Sequence, residues 1–123
     1  MRVVYLSVVG NTRKFVHKLG VDALELDDLT VYTEMDEPFI LITPTYEIEA
    51  TDLNNDFLES GNNIKYCKGV IGAGNLNFES LYCFTAKDLE EDYGIPLLYT
   101  FEFMGSPKDV DEVKRILTEL QDS

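Results

Sequence analysis

Apolar residues along this chain fall into short blocks separated by amphipathic stretches. Val3–Leu6, Phe39–Thr43, Cys67–Ala73 and Pro96–Phe103 are rich in β-branched or aromatic residues and are mostly continuous rather than alternating. A strand has that pattern when both of its faces are covered, so these four blocks predict doubly buried strands. Ala23–Leu26 is a weaker run and predicts an edge strand. Between the blocks the period changes. Thr12–Leu19 brings Phe15, Val16 and Leu19 to one helical face and stops at Gly20, and Thr51–Ser60 carries Leu53, Phe57 and Leu58 ahead of Gly61. Thr85 and Ser106 each precede an acid by three residues, Asp88 and Asp109, and Pro107 suits a first helical position; both segments therefore predict capped helix starts. The last helix aligns Val110, Val113, Ile116, Leu117 and Leu120, and the one before it ends at Tyr93-Gly94-Ile95-Pro96. Strand and helix alternate, which predicts an α/β fold with a parallel sheet. One connection departs from the pattern: Asp27–Glu37 contains Leu29-Thr30-Val31-Tyr32, which reads as extended and is too short for a crossover helix, so a strand or loop is expected there.

Composition narrows the function classes. A chain of 123 residues with 45% apolar content suits a single domain, 1–123, that closes one core without disulfides or metals. With 23 acidic against 10 basic side chains the formal charge is −13, which opposes binding to a phosphate backbone; no nucleic acid is expected as a partner. No run approaches the ~20 apolar residues of a membrane span, and the start shows no signal-peptide pattern, so a soluble cytoplasmic protein with no membrane partner is expected. Cys67 and Cys83 lack metal-ligand spacing and His17 is the one histidine, so no metal site is expected and the cysteines read as buried or idle thiols. His17, among Lys14 and Lys18, reads as a solvated helix residue, and Glu90-Glu91-Asp92 and Asp27-Asp28 read as solvated surface.

Ligands of open parallel sheets bind beyond the carboxyl ends of the strands, so the loops that follow strands are where chemistry is expected. After the first strand, Ser7-Val8-Val9-Gly10-Asn11-Thr12 leads into a helix and gathers a hydroxyl, an amide and backbone N–H groups at a positive helix end. It reads either as a phosphate cradle or as a plain tight turn, since the lysine of a nucleotide-hydrolysing loop is missing. After the third strand come Thr43-Pro44-Thr45-Tyr46-Glu47, where Tyr46 suits stacking on a planar ring. After the fourth come Gly72-Ala73-Gly74-Asn75-Leu76-Asn77-Phe78, with Tyr82 beyond: small residues that let main chain approach a ligand, amides for the edge of a heterocycle, and aromatic faces. After the fifth come Phe103-Met104-Gly105-Ser106. Together these loops suit a flavin.

Four segments, Ser7–Thr12, Asp36–Tyr46, Gly72–Phe78 and Phe101–Ser106, occur in the order of the flavodoxin-like activators of class Ib ribonucleotide reductase, and over nearly its whole length the chain resembles that NrdI family. The resemblance implies a three-layer flavodoxin-like fold: a five-stranded parallel sheet of order 2-1-3-4-5 with helices on both faces. It implies FMN as cofactor, held at its phosphate by Ser7, Gly10, Asn11 and Thr12. Thr45, Tyr46, Gly74, Asn75, Phe78 and Met104 would surround the isoalloxazine. Val8, Val9, Thr43, Pro44, Glu47, Leu76, Asn77, Tyr82, Phe103 and Gly105 complete the expected cofactor site, with no catalytic side chain. It further implies that reduced FMN converts O2 to superoxide for the dimanganese site of the reductase small subunit, where a tyrosyl radical forms; an electron donor must recharge the flavin. Two other readings stay open: a general electron-transfer flavodoxin, and a non-enzymatic binding module on the same fold. For a phospho-acceptor module, acids should cluster after the first strand, and Ser7-Val8-Val9 provides none.

Two departures from the family pattern matter. Val9 stands where flavodoxin phosphate loops commonly carry a second hydroxyl, and a hydrogen bond to a charged group contributes roughly 1.5–3 kcal/mol. Glu47-Ile48-Glu49-Ala50-Thr51-Asp52 lacks the glycine at which many members of the family flip a peptide toward the flavin. A flip that needs positive φ costs a non-glycine residue ~1–2 kcal/mol. At about 59 mV per tenfold for one electron this amounts to roughly 40–90 mV less stabilisation of the one-electron-reduced flavin. Reductive titration of the FMN-loaded protein is therefore expected to show little long-wavelength absorbance at half reduction, and Glu47→Gly to raise it. Strong absorbance in the unmodified protein, unchanged by Glu47→Gly, would contradict this reading of the loop.

Overall fold

A computed structural model describes residues 1–45, 52–74 and 83–122. Strands β1 (Arg2–Tyr5), β2 (Ala23–Glu25), β3 (Phe39–Thr43), β4 (Cys67–Gly74) and β5 (Leu97–Glu102) form a sheet of order β2-β1-β3-β4-β5. Each neighbouring pair is parallel. The helices are α1 (Asn11–Leu19), α2 (Asp52–Leu58), α3 (Asn63–Tyr66), α4 (Phe84–Tyr93) and α5 (Pro107–Asp122). The flavodoxin-like order expected from the resemblance is thus observed.

Alternate strand residues feed two cores, one on each face of the sheet. Val4, Phe39, Leu41 and Val70 pack with Phe57 and Leu58 of α2 and Ala86 and Leu89 of α4. Val3, Ile40, Ile42, Ile71 and Phe101 pack with Phe15 and Val16 of α1 and Val113 and Leu117 of α5. Covering both faces is what makes the strand blocks continuous in the sequence, and each fully buried aliphatic or aromatic side chain stabilises the fold by ~1.5–3 kcal/mol. Cys67 and Val70, three residues apart, both face the α2–α4 core. That odd spacing is accommodated by a bulge: Phe39 pairs with Cys67 and Ile40 with Gly69, leaving Lys68 as the extra, solvent-exposed residue.

Several boundaries differ from the sequence expectation. β2 is a residue shorter, β1 is displaced by one toward the N-terminus, and β5 loses a residue at each end. α2 begins at Asp52, since Thr51 lies outside the described residues, and it stops at Leu58 rather than Ser60. Leu29–Tyr32 is not extended but a hydrogen-bonded turn, because the Asp27 carboxylate accepts from the Leu29 and Thr30 N–H groups at 2.8 and 2.9 Å. Helix α3 is unheralded by apolar periodicity. Its place is fixed by buried Asn63, whose amide donates to the Thr33 and Phe57 carbonyls and whose oxygen accepts from the Met35 N–H. Thr85 does not cap α4: the cap position falls at Cys83 with φ 55°, and the Thr85 hydroxyl lies buried without a partner among the described residues. The two cysteines are buried and not joined by a disulfide, and burial pushes the Cys67 thiol up to about 11. Among the described residues no helix is long and apolar enough to cross a membrane.

The second predicted cap forms as expected. The Asp109 N–H donates to Ser106 Oγ at 3.2 Å, while Asp109 Oδ2 accepts from the Ser106 N–H at 2.8 Å, a reciprocal box at the start of α5. Burial alone would raise the Asp109 carboxyl, but hydrogen bonds from Tyr99 and Ser106 hold it below its ordinary value. A carboxyl depressed in the fold contributes stability that is fully present above its unfolded pKa and is lost as pH falls through the folded value. Urea unfolding at pH 7 is expected to show Ser106→Ala less stable by ~1 kcal/mol. Asp109→Asn is expected to flatten the fall in stability below about pH 4. Identical acid profiles for Asp109→Asn and the unmodified chain would show that the box contributes nothing to α5.

Candidate functional site

The parallel register places the carboxyl ends of four strands side by side. Tyr5 of β1 lies beside Ile42 of β3, Thr43 beside Gly72 of β4, and Gly74 beside Glu102 of β5. The segments that leave these ends, Leu6–Gly10, Pro44–Thr45 and Phe103–Ser106, therefore share one edge of the sheet, as does α1 through its first turn.

The first of these segments is built as an anion cradle. Gly10 takes φ 97° with ψ −9°, a left-handed conformation that turns the chain abruptly into α1 and that a side chain would strain. The Arg13 N–H donates to Ser7 Oγ at 3.3 Å and the Lys14 N–H to the Gly10 carbonyl at 3.0 Å, which closes the first turn. No acceptor among the described residues meets the N–H groups of Asn11 and Thr12. The first turn carries no acid, and the last carries His17 and Lys18. Unpaired amides at a positive helix end fit a phosphate, which would complete hydrogen bonding that the fold leaves open. Thr12 is buried, and Val9 is exposed.

Beside the cradle, Arg13 reaches back to β2. Its Nε and Nη2 donate to the two Glu25 carboxylate oxygens, each at 2.7 Å, and the Tyr5 hydroxyl donates to the same carboxylate at 2.9 Å. The Arg13 hydrogen bond holds the Glu25 carboxyl below its usual range, while burial, reinforced by Glu25, raises the Tyr5 phenol. Arg13 is thereby engaged away from the cradle, which offers amide dipoles to an anion rather than this guanidinium.

At the other strands, main-chain exits are pinned by side chains. The Asn54 amide on α2 donates to Thr43 Oγ1 at 2.7 Å, and the Thr43 hydroxyl donates to the Pro44 carbonyl at 3.2 Å. The Thr45 hydroxyl donates to the Ala73 carbonyl at 2.8 Å, linking the exit of β3 to the end of β4. The Phe103 N–H donates to the Gly74 carbonyl at 3.1 Å, and Phe103 has φ 52°. Gly105 follows with φ 73°; a Cβ there would lie 2.5 Å from the Phe15 ring, which itself stacks on Phe101 at 4.0 Å. The turn between β5 and α5 is thus held tightly, with Phe103 and Met104 presented to solvent and the Met104 carbonyl accepting from Lys18 Nζ at 3.4 Å.

Of the site residues expected from sequence, Ser7, Val8, Val9, Gly10, Asn11, Thr12, Thr43, Pro44, Thr45, Gly74, Phe103, Met104 and Gly105 are at this edge. Thr43 and Pro44 are buried and support the exit from within. Tyr46, Glu47, Asn75, Leu76, Asn77, Phe78 and Tyr82 lie outside the described residues. Sequence reasoning missed four supporting residues: Arg13, Glu25, Lys18 and Asn54. Arg13 and Glu25 had a readable signal, since a charge at the end of a predicted edge strand and one in the first turn of the next-door helix are natural partners. Asn54 had none, because an amide on an otherwise amphipathic helix reads as surface.

Comparison with known proteins gives a consistent picture. A family model described as "NrdI Flavodoxin like" matches residues 3–115. The chain is 37% identical to Protein NrdI of Rhodococcus opacus over 98% of its own length and 88% of that protein. It is 35% identical to Protein NrdI of Mesoplasma florum, covering 97% of this chain and 85% of that one. Among solved structures it resembles a short-chain flavodoxin associated with a non-canonical PDU bacterial microcompartment, with a TM-score of 0.67, 17% identity, and 98% and 95% of the two chains covered. At that identity the last likeness concerns the fold.

Proposed function

The chain belongs to the NrdI flavodoxin-like family, an FMN flavoprotein family that acts with ribonucleotide reductase, and from that premise we propose that it is the redox activator of a class Ib enzyme. The observation that carries this reading is the cradle at the start of α1, with its unpaired Asn11 and Thr12 amides, on the same sheet edge as the exits of β3, β4 and β5. The FMN phosphate would sit on Ser7, Gly10, Asn11 and Thr12. Thr45, Gly74 and Met104, with Tyr46, Asn75 and Phe78, would border the isoalloxazine.

Held at this edge, FMN would supply the electron chemistry, the reduction of O2 to the superoxide that the dimanganese site of the reductase small subunit would need for its tyrosyl radical. The chain's own residues bind, orient and give access. Asn11 and Thr12 would meet the phosphate with aligned amide dipoles. The hydrogen bond from Thr45 to Ala73 and that from Phe103 to Gly74 fix the spacing of the three strand exits between which a planar ring would lie. The edge needs no acid, base or nucleophile, and a single domain spanning 1–123 suffices for this role.

The test is to purify the yellow protein, reduce it, and mix it with the manganese-loaded class Ib small subunit and O2. The expected outcome is tyrosyl radical that depends on both reduced protein and O2. A flavin-loaded protein that accepts electrons yet yields no radical would favour a general electron-transfer flavodoxin. A protein that takes up no flavin would favour a binding module.

A further inference from the structure

Six large apolar side chains among the described residues are exposed: Val9, Leu29, Tyr32, Ile64, Phe103 and Met104. Five of them leave the carboxyl ends of strands, Val9 after β1, Leu29 and Tyr32 after β2, and Phe103 and Met104 after β5. The Leu29–Tyr32 turn stands apart from the expected cofactor contacts, and it is the most exposed of the set, with Leu29 at 94% and Tyr32 at 70%. It is also rigidly built. Asp27 caps the Leu29 and Thr30 N–H groups, and the Val31 N–H bonds the Asp27 carbonyl at 3.0 Å. The Thr30 hydroxyl bonds the Glu25 carbonyl at 2.6 Å and accepts from the Asp27 N–H at 2.9 Å. Val31 anchors the turn in the core. These local bonds fix a turn whose two large apolar side chains stand mostly in water.

We propose that the Leu29–Tyr32 turn is a preformed docking knob for the protein that receives the chain's redox output, inserted into an apolar socket of that partner whose rim is basic. This inference rests on the function proposed above. Three observations select that occupant. First, the knob lies on the same sheet end as the cofactor edge, and β2 is four strand spacings from β5, about 19 Å at ~4.8 Å each, so one partner face of ordinary size spans from Leu29 to Phe103. Second, Asp27, Asp28, Glu34 and Asp36 are exposed along the same turn, and the chain carries −13 overall, which attracts lysine and arginine on a partner. Third, that charge opposes a second copy of this chain as the occupant. A turn whose backbone is held in place before binding loses little main-chain freedom on contact, and tyrosine is among the side chains that dominate interfaces.

The experiment compares the FMN-loaded protein with its Leu29→Ser/Tyr32→Ser variant and with Phe103→Ser, titrated against the class Ib small subunit at low and high salt, with flavin affinity and thermal midpoint measured in parallel. The expected result is a Kd at least tenfold weaker for the double variant, with flavin affinity and midpoint unchanged, and binding that weakens for the unmodified protein as salt rises. Full binding by the double variant alongside weakened binding by Phe103→Ser would overturn the knob while leaving the proposed function intact. Absence of binding by the unmodified protein would overturn both. Self-association in sedimentation that the double variant abolishes would overturn the choice of occupant.

Discussion

Burial of β1, β3 and β4 on both faces, in strands that all run the same way, sets the rest of this molecule. A parallel strand must be re-entered from the opposite end, so β1, β3 and β4 return through helices and β2 through the turn-containing segment 26–38, and every strand delivers its exit to the same edge. With Val3 and Val4, Ile40 and Leu41, or Val70 and Ile71 directed to opposite cores, the sheet has no face left for a ligand. Chemistry is confined to the edge. There the fold supplies the start of α1, the Thr45–Ala73 clamp and the Phe103–Gly105 turn within a few strand spacings of one another.

An acidic chain that holds an anionic cofactor faces a conflict, and the local structure resolves it by orientation. The Arg13 guanidinium is engaged by Glu25, so the cradle relies on amide dipoles whose direction is fixed by Gly10 and by the Ser7–Arg13 hydrogen bond. Such dipoles act over the first turn only, whereas the carboxylates dispersed over the surface are screened by salt. The same negative surface then serves a different purpose at longer range, in guiding a basic partner to the exposed apolar positions around the edge.

Much of this was legible in the residues because the signals were those of packing. Continuous apolar blocks gave doubly covered strands, and the Ser106–Asp109 spacing gave the start of α5. What stayed hidden depends on contacts distant in sequence. Asn63 defines α3 through bonds to Thr33, Met35 and Phe57, none of which periodicity reports. The hydroxyl-and-acid pattern at Thr85 matched a cap, but the left-handed Cys83 took that position and turned Thr85 inward. Leu29–Tyr32 read as extended, a strand or a loop; the Asp27 carboxylate settles it as a turn. At the site, the cradle was visible as a loop of small and polar residues and the Arg13–Glu25 pair had a readable charge signal, while the Asn54 strut emerged only when the elements were assembled.

The central claim is that the amides opening α1 hold the phosphate of FMN at the carboxyl edge of the sheet. The most direct measurement is titration of nitrogen-15-labelled, flavin-free protein with FMN and, separately, with riboflavin, following assigned amide resonances. The account predicts that FMN shifts the Gly10, Asn11 and Thr12 amides strongly, that Gly74, Phe103 and Gly105 respond to both ligands, and that riboflavin leaves the Asn11 and Thr12 amides nearly unmoved. Saturation with FMN without any shift at Asn11 and Thr12, or with shifts confined to the opposite end around Arg2 and Lys68, would contradict it.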